Sequence, residues 1–455
     1  MQKCLVPALC IALSSIIAAP ALAQDNAPAQ KHHAKNIILM IGDGMGYNQV
    51  AAGDMYQYGK TGAQVYEKFK QYPVSTYPAK APGYDPQKAW SDFAYVKRYC
   101  TDSAAAATAM ATGVSTYNGA IGVGTEKQPL KQITELAEEK GKAVGDITTV
   151  LFNHATPACF LSHDRSRGNY TSIAKEMLNR PAEVIMGAGH PGFDKDGKPV
   201  KMKSADPSKG IPGSYGRVGG EDIWKGLKAG TFGNDCDGDG KPDPWTLIDT
   251  KAQFEALMHG KTPKRVFGLL PVQTTLQEER SGDAKADAYT VPMIKTVPTL
   301  AEMSVGALNV LRQDPDGFFI MIEGGAIDWA CHNNESGRLI EEQIDFNKAV
   351  DAVVKWVAQN SSWDDTLLLV TADHECGYLL GPGSDPDQKP LVNNGQGKMP
   401  GMEWYKTSHT NELVPLYVKG AGAAEFDNYF EGKDPVRGRY IHNTAIGKVM
   451  FALFR

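Results

Sequence analysis

Residues 36–46 read NIILMIGDGMG, an unbroken apolar run from Ile37 to Ile41 that stops abruptly on Gly42-Asp43-Gly44. A short Ile- and Leu-rich run without alternation marks a strand buried on both faces, and such strands occur where helices cover a sheet on either side. The same signature recurs at residues 143–151, 183–186, 265–270, 318–322, 366–370 and 414–418. Between these runs, residues 130–140, 300–309 and 339–359 carry apolar positions at helical spacing. The alternation predicts an α/β fold with a mostly parallel central sheet sandwiched by helices.

No internal repeat or linker divides the 455 residues, so one large domain over 24–455 is expected. Residues 191–243 break the pattern, being rich in Gly, Lys, Asp and Pro, and read as an irregular surface insertion. Inside it, Asp235-Cys236-Asp237-Gly238-Asp239-Gly240 matches the opening of a calcium loop. Thr246 stands where such a loop ends in Glu, and Pro242 interrupts the second half. The segment is therefore either a shortened calcium site at Asp235, Asp237 and Asp239 or an acidic turn.

The formal net charge of −5 argues against a nucleic-acid binder, which needs a basic face for the phosphate backbone. At the N-terminus, Lys3, an apolar run from Leu5 to Ile17 and the small-residue sequence Ala21-Leu22-Ala23 form a signal peptide over residues 1–23. The run is short for a bilayer span, so the mature chain is expected to begin near Gln24, free of the membrane, in the periplasm or outside the cell. Cys4 and Cys10 leave with that segment. The remaining five cysteines are widely spaced with no CxxC, which favours buried thiols over a zinc-thiolate site.

In doubly wound sheets, functional groups gather at the carboxyl ends of the strands. Just past the buried runs stand Asp43, then Asn153-His154-Ala155-Thr156, then Glu323 with Asp328 and His332, then Asp373-His374; His409 comes just before the last run. Singly, each fits a cap, a turn or a solvated pair. Together they offer carboxylates and imidazoles, which suit zinc, and all-oxygen sets, which suit magnesium. Residues 101–113 (TDSAAAATAMATG) form an alanine-rich helix with a glycine stop. Ser103 falls in its first turn, where backbone N–H groups attract anions, although Ser103 or Asp102 could equally be a plain N-cap.

With these motifs in hand, the chain resembles the alkaline phosphatases over nearly its whole mature length. The resemblance rests on residues 36–46, 101–113, 154–158 (HATPA), 323–328 (EGGAID) with His332, 371–375 (TADHE) and 408–410 (SHT), in matching order and spacing. It implies a hydrolase of small phosphate monoesters, active at alkaline pH through a phosphoserine at Ser103, with two zinc ions and one magnesium ion per chain. By this resemblance, Asp328, His332 and His409 hold one zinc. Asp43, Asp373 and His374 hold the other, and Asp43, Thr156 and Glu323 hold magnesium. Arg167 corresponds to the arginine that clamps the phosphate, with Arg165 as a rival two residues away. His154 and Trp329 stand where family members vary, and imply a His/Trp branch with magnesium less firmly held. The family is usually homodimeric.

Overall fold

In the computed structural model, the described residues are Met1, 33–202, 214–236 and 239–454. The signal-peptide expectation, beyond Met1 itself, and Asp237 of the calcium expectation lie outside them. No helix among the described residues is long and apolar enough to cross a membrane.

The opening run forms β1 (Asn36–Gly42) near the middle of an eleven-stranded sheet. The other strands are β2 (Lys70–Ser75), β3 (Ala143–Leu151), β4 (Val184–Ala188), β5 (Thr246–Ile248) and β6 (Val266–Leu269). They continue with β7 (Phe318–Gly324), β8 (Thr366–Thr371), β9 (Val414–Gly420), β10 (Phe430–Asp434) and β11 (Gly438–His442). Their order is β10-β11-β2-β9-β8-β1-β7-β3-β4-β6-β5, parallel throughout from β8 to β5. Every residue of β1, β3, β7 and β8 is buried. At roughly 1.5–3 kcal/mol for each fully buried aliphatic side chain, this centre is the main favourable contribution to the fold.

Helices cover the sheet in two packed groups, one built on Ser336–Asn360 with Leu300–Leu311 and Tyr47–Tyr58, the other on Ser103–Thr112 with Ala155–Leu161 and Thr444–Leu453. The seven expected strands all form. β9 alone among them runs antiparallel to its neighbour β8, so the residues that precede it lie at the same sheet edge as the residues that follow the parallel strands.

Four strands were hidden from the sequence pattern. β2 begins with two exposed residues and carries Pro73, opposite Pro415 of β9, and proline argues against a strand when read alone. β5 has three residues, and β10 and β11 mix charged and exposed positions. The stretch 191–243 is less irregular than its composition suggests. It contains the helix Glu221–Ala229, whose Trp224 and Leu227 are buried. One helical turn of apolar residues was too little signal amid the surrounding glycines. The helix expected at 130–140 is shorter, Ile133–Glu139, because a capping box between Gln132 and Glu135 sets its start.

A buried ion pair ties the loop before Leu300–Leu311 to the long helix. Arg280 Nη1 lies 2.8 Å from Glu341 Oε2, with side chains 2% and 3% exposed. Arg280 Nη2 donates to Glu341 Oε1 at 2.9 Å and to the Val291 carbonyl. Removing one partner of such a pair leaves a buried charge uncompensated. Arg338 Nη1, equally buried, lies 3.4 Å from the same Glu341 Oε2, so Glu341→Leu, which strands both guanidiniums, is expected to lower stability by about 3–5 kcal/mol in urea unfolding, and Arg280→Ala, which leaves Glu341 paired with Arg338, by less.

Candidate active site

The helix Ser103–Thr112 starts at Asp102, whose Oδ1 accepts the Ala105 N–H at 2.9 Å. Asp102 is therefore the cap, and Ser103 is left with an uncommitted hydroxyl at the first helical position, where the helix dipole favours negative charge. Gly113 ends the helix in the left-handed conformation (φ 74°), as its sequence predicts. Ser103 Oγ lies 3.3 Å from His374 Nε2, and the serine is only 2% exposed.

His374 Nε2 in turn lies 3.1 Å from Asp373 Oδ2 and 3.5 Å from Asp43 Oδ1. Asp43 follows β1 and Asp373 follows β8, and the neighbouring pairing of these strands puts the two carboxylates side by side. The Gly44 N–H donates to Asp373 Oδ1 at 3.1 Å. Gly44 has φ 73°, and a Cβ there would stand 2.9 Å from the Asp328 Cα. Only glycine fits where these loops pass so closely.

A second cluster adjoins the first. Asp328 and His332 sit one turn apart on the helix Ala326–His332. Asp328 Oδ2 lies 3.4 Å from His332 Nε2, and its Oδ1 lies 3.4 Å from His409 Nε2. His332 Nδ1 is 2.9 Å from the Thr407 carbonyl and His409 Nδ1 is 2.8 Å from the Thr101 carbonyl. Each Nδ1 therefore donates its proton to a carbonyl, which leaves both Nε2 atoms as lone-pair donors, 3.0 Å apart. Two lone pairs facing each other beside a carboxylate are a ligand set for a borderline cation. Donor atoms of Asp43, Asp328 and His374 likewise lie within 4.8 Å of one another.

The oxygen-rich corner lies beyond Asp43. Thr156 Oγ1 is 3.4 Å from Asp43 Oδ2, and the Thr148 hydroxyl donates to Glu323 Oε2. Asp43 Oδ1, Glu323 Oε1, Asp328 Oδ1 and Asp373 Oδ2 are buried and accept no hydrogen bond. Burial, followed by the charges of Asp373, Asp328 and Glu323, pushes the Asp43 carboxyl well above its ordinary range. Burial likewise lifts Glu323 to about 7. Bound cations would relieve such crowding while keeping the carboxylates charged.

Arg167 borders the serine. Its Nη1 pairs with Asp102 Oδ2 at 3.1 Å and its Nη2 donates to His154 Nε2 at 3.3 Å. Arg165 is exposed, while its carbonyl accepts the Tyr117 hydroxyl. His154 packs edge-on against Trp329 with ring centroids 5.6 Å apart. Burial first, then the Arg167 and Arg217 charges, drives the His154 imidazole down to about 3.

Three contributors escaped the sequence reading. Cys376, treated there as one of several structural thiols, has its Sγ within 4.8 Å of the donors of Asp328, His332 and His409; it donates to the Asp328 carbonyl at 3.8 Å, and burial pushes the thiol well up. Thr148 could have been found as a polar residue within an otherwise buried strand. Asp102 was seen as a cap, not as the partner of Arg167. Cys100, Cys159, Cys236, Cys331 and Cys376 are all free thiols. In the calcium-like loop, Asp235 Oδ2 accepts the Gly240 N–H at 2.8 Å and Asp239 Oδ1 accepts the Lys241 N–H at 2.8 Å. These two carboxylates thus serve the turn itself.

The sequence model of the alkaline phosphatase family matches residues 34–425. The chain belongs to that family. Alkaline phosphatase 3 of Bacillus subtilis (strain 168) is 33% identical over 375 residues, covering 79% of this chain and 65% of that protein. The chain thus spans just under two thirds of that relative's length. A cold-active alkaline phosphatase from the psychrophile Shewanella sp. superposes with a TM-score of 0.65 at 26% identity, over 92% of this chain and all of that one. A mutant of the alkaline phosphatase from the Antarctic bacterium TAB5, solved with Mg bound in the M3 site, superposes with a TM-score of 0.62 at 23% identity, over 93% and 99% of the two chains.

In this member of the family, one aspartate both starts the serine's helix and holds the arginine. Asp102→Ala is expected to lower the unfolding free energy by about 0.5–2 kcal/mol. Asp102→Asn keeps the acceptor and recovers most of the loss, as urea midpoints of the two variants will show.

Proposed function

We propose that the chain hydrolyses small phosphate monoesters at alkaline pH through a phosphoserine at Ser103. The observation that carries this reading is the Ser103 hydroxyl, uncapped at a helix start, 3.3 Å from His374 and beside two converging donor clusters. The donor chemistry fits two zinc ions and one magnesium ion. Asp328, His332 and His409 suit one zinc through two imidazole lone pairs and a carboxylate. Asp43, Asp373 and His374 suit the second, and the all-oxygen set Asp43, Thr156 and Glu323 suits magnesium. The buried carboxylate oxygens without hydrogen bonds support the same assignment. Calcium at Asp235 and Asp239 is not part of this reading.

Bound at these positions, the cations lower the pKa of the serine hydroxyl and neutralise charge on the phosphoryl and leaving oxygens. Ser103 Oγ forms a bond to phosphorus as the bond to the alcohol oxygen breaks, and the alcohol departs with a proton. Arg167, held in place by Asp102, meets two phosphoryl oxygens with its planar fork. The N–H groups at the start of Ser103–Thr112 favour the same negative charge. Water then attacks the phosphoserine, releasing inorganic phosphate and restoring the hydroxyl. His154, neutral and braced by Trp329, accepts a hydrogen bond from Arg167 and keeps the fork turned towards the serine. By the family resemblance, an imidazole at position 154 holds magnesium less firmly than a carboxylate there would. The reading extends to an exported mature chain beginning near Gln24, in the periplasm or outside the cell, and to a homodimer.

Ser103→Ala is expected to lower kcat/KM for a nitrophenyl phosphate on the order of 10³-fold or more, and Arg167→Ala about 10²- to 10³-fold. Full activity in Ser103→Ala would overturn the central assignment. Chelation should abolish turnover, zinc should restore it, and magnesium should raise it further. Two successive displacements require retention of configuration at phosphorus, so inversion with a chiral phosphate ester would exclude the phosphoserine.

A further inference from the structure

The guanidinium of Arg217 lies flat on the Tyr170 ring, its central carbon 3.7 Å from the ring centroid. Tyr170 opens the helix Tyr170–Leu178, three residues after Arg167. The side-chain amide of Asn153, adjacent to His154, donates to the Tyr170 carbonyl at 2.8 Å and to the Arg217 carbonyl at 3.2 Å. One amide thus fixes the backbone of both residues of the stack against the loop that carries His154. The same loop meets both arginines, Asn153 through the Arg217 carbonyl and His154 through the Arg167 fork.

The two arginines differ in one respect. Arg167 is paired with Asp102, whereas Arg217 has no carboxylate partner among the described residues, and its Nη1 is buried without a hydrogen bond. A buried charged N–H without an acceptor is costly, and stacking on tyrosine fixes the fork without satisfying its donors. Two guanidiniums served by one carboxylate leave this side of the cleft with unspent positive charge. A guanidinium fork matches a phosphate group in shape and charge.

We propose that Arg217, held on Tyr170 beside the Arg167–His154 pair, binds a second phosphate group carried by the substrate. This inference rests on the phosphomonoesterase reading. It makes Arg217 a specificity-determining residue, one that favours sugar bisphosphates over esters of neutral alcohols and leaves the transferred phosphoryl group to Arg167.

The test compares the metal-loaded parent with Arg217→Gln, Arg217→Lys and Tyr170→Leu. Each is assayed on p-nitrophenyl phosphate and on fructose 1,6-bisphosphate, with inorganic phosphate and methylenediphosphonate as inhibitors. Arg217→Gln should lose about tenfold or more in kcat/KM on the bisphosphate, in line with loss of one charge-assisted hydrogen bond. Its nitrophenyl phosphate turnover and its inhibition by phosphate should change less than about threefold, while methylenediphosphonate weakens about tenfold. Arg217→Lys should fall between, because the charge remains and the fork is lost, and Tyr170→Leu should reproduce part of the selective loss. Equal losses on both esters would make Arg217 a merely structural residue or a contact of the transferred group, and unchanged inhibition by methylenediphosphonate would also overturn the proposal. A parent that turns over neither ester would refute the phosphatase reading and this inference with it. A parent active on both, with Arg217→Gln unaltered, would refute Arg217 alone.

Discussion

Asp43, Glu323, Asp328 and Asp373 are held within one small volume from which water is almost excluded, and the rest of the site is organised around their mutual repulsion. Like charges at such distances in a low-dielectric interior cannot all stay ionised unless positive charge stands between them. The sheet creates the problem. Parallel strands β1, β7 and β8 deliver their carboxylates to one edge, and the rigid ladder keeps them from moving apart. The imidazoles of His332, His374 and His409 and the buried hydroxyls of Thr148 and Thr156 then complete cation-binding geometry. The Ser103 hydroxyl beside this arrangement sits in a field built before any substrate arrives, which is the condition for electrostatic stabilisation at little reorganisation cost.

Much of this was readable from residue order. The buried runs at 36–41, 318–322 and 366–370 announced the sheet, and the polar residues just beyond them announced the edge, because in a parallel sheet strand ends and function coincide. The helix of Ser103 was equally legible, since alanine propensity and a terminal glycine are local properties. Less legible was whatever depends on distant pairing. Pro73 hides β2 because its place opposite Pro415 is a fact of tertiary structure. Asp102 reads as a cap because that role is local, while its contact with Arg167 requires the loop at 164–169 to fold back over it. Cys376 looked like any structural thiol until the turn after β8 put its sulfur beside Asp328.

Arg167 and Arg217 illustrate how neighbouring side chains of one type acquire different work from their surroundings. An arginine paired with an aspartate has its fork oriented, with N–H groups still left to donate. An arginine stacked on an aromatic ring is oriented while its charge stays available.

The reversal of β9 has a consequence in time. Because that strand runs against β8, His409 reaches the common edge from the far end of the polypeptide, whereas Asp43 belongs to the first strand. The donor cluster can therefore close only after residue 409 has been synthesised, long after Asp43 has left the ribosome. A product that stops short of residue 409 would still carry the serine and its helix, yet would lack one of the clustered imidazoles.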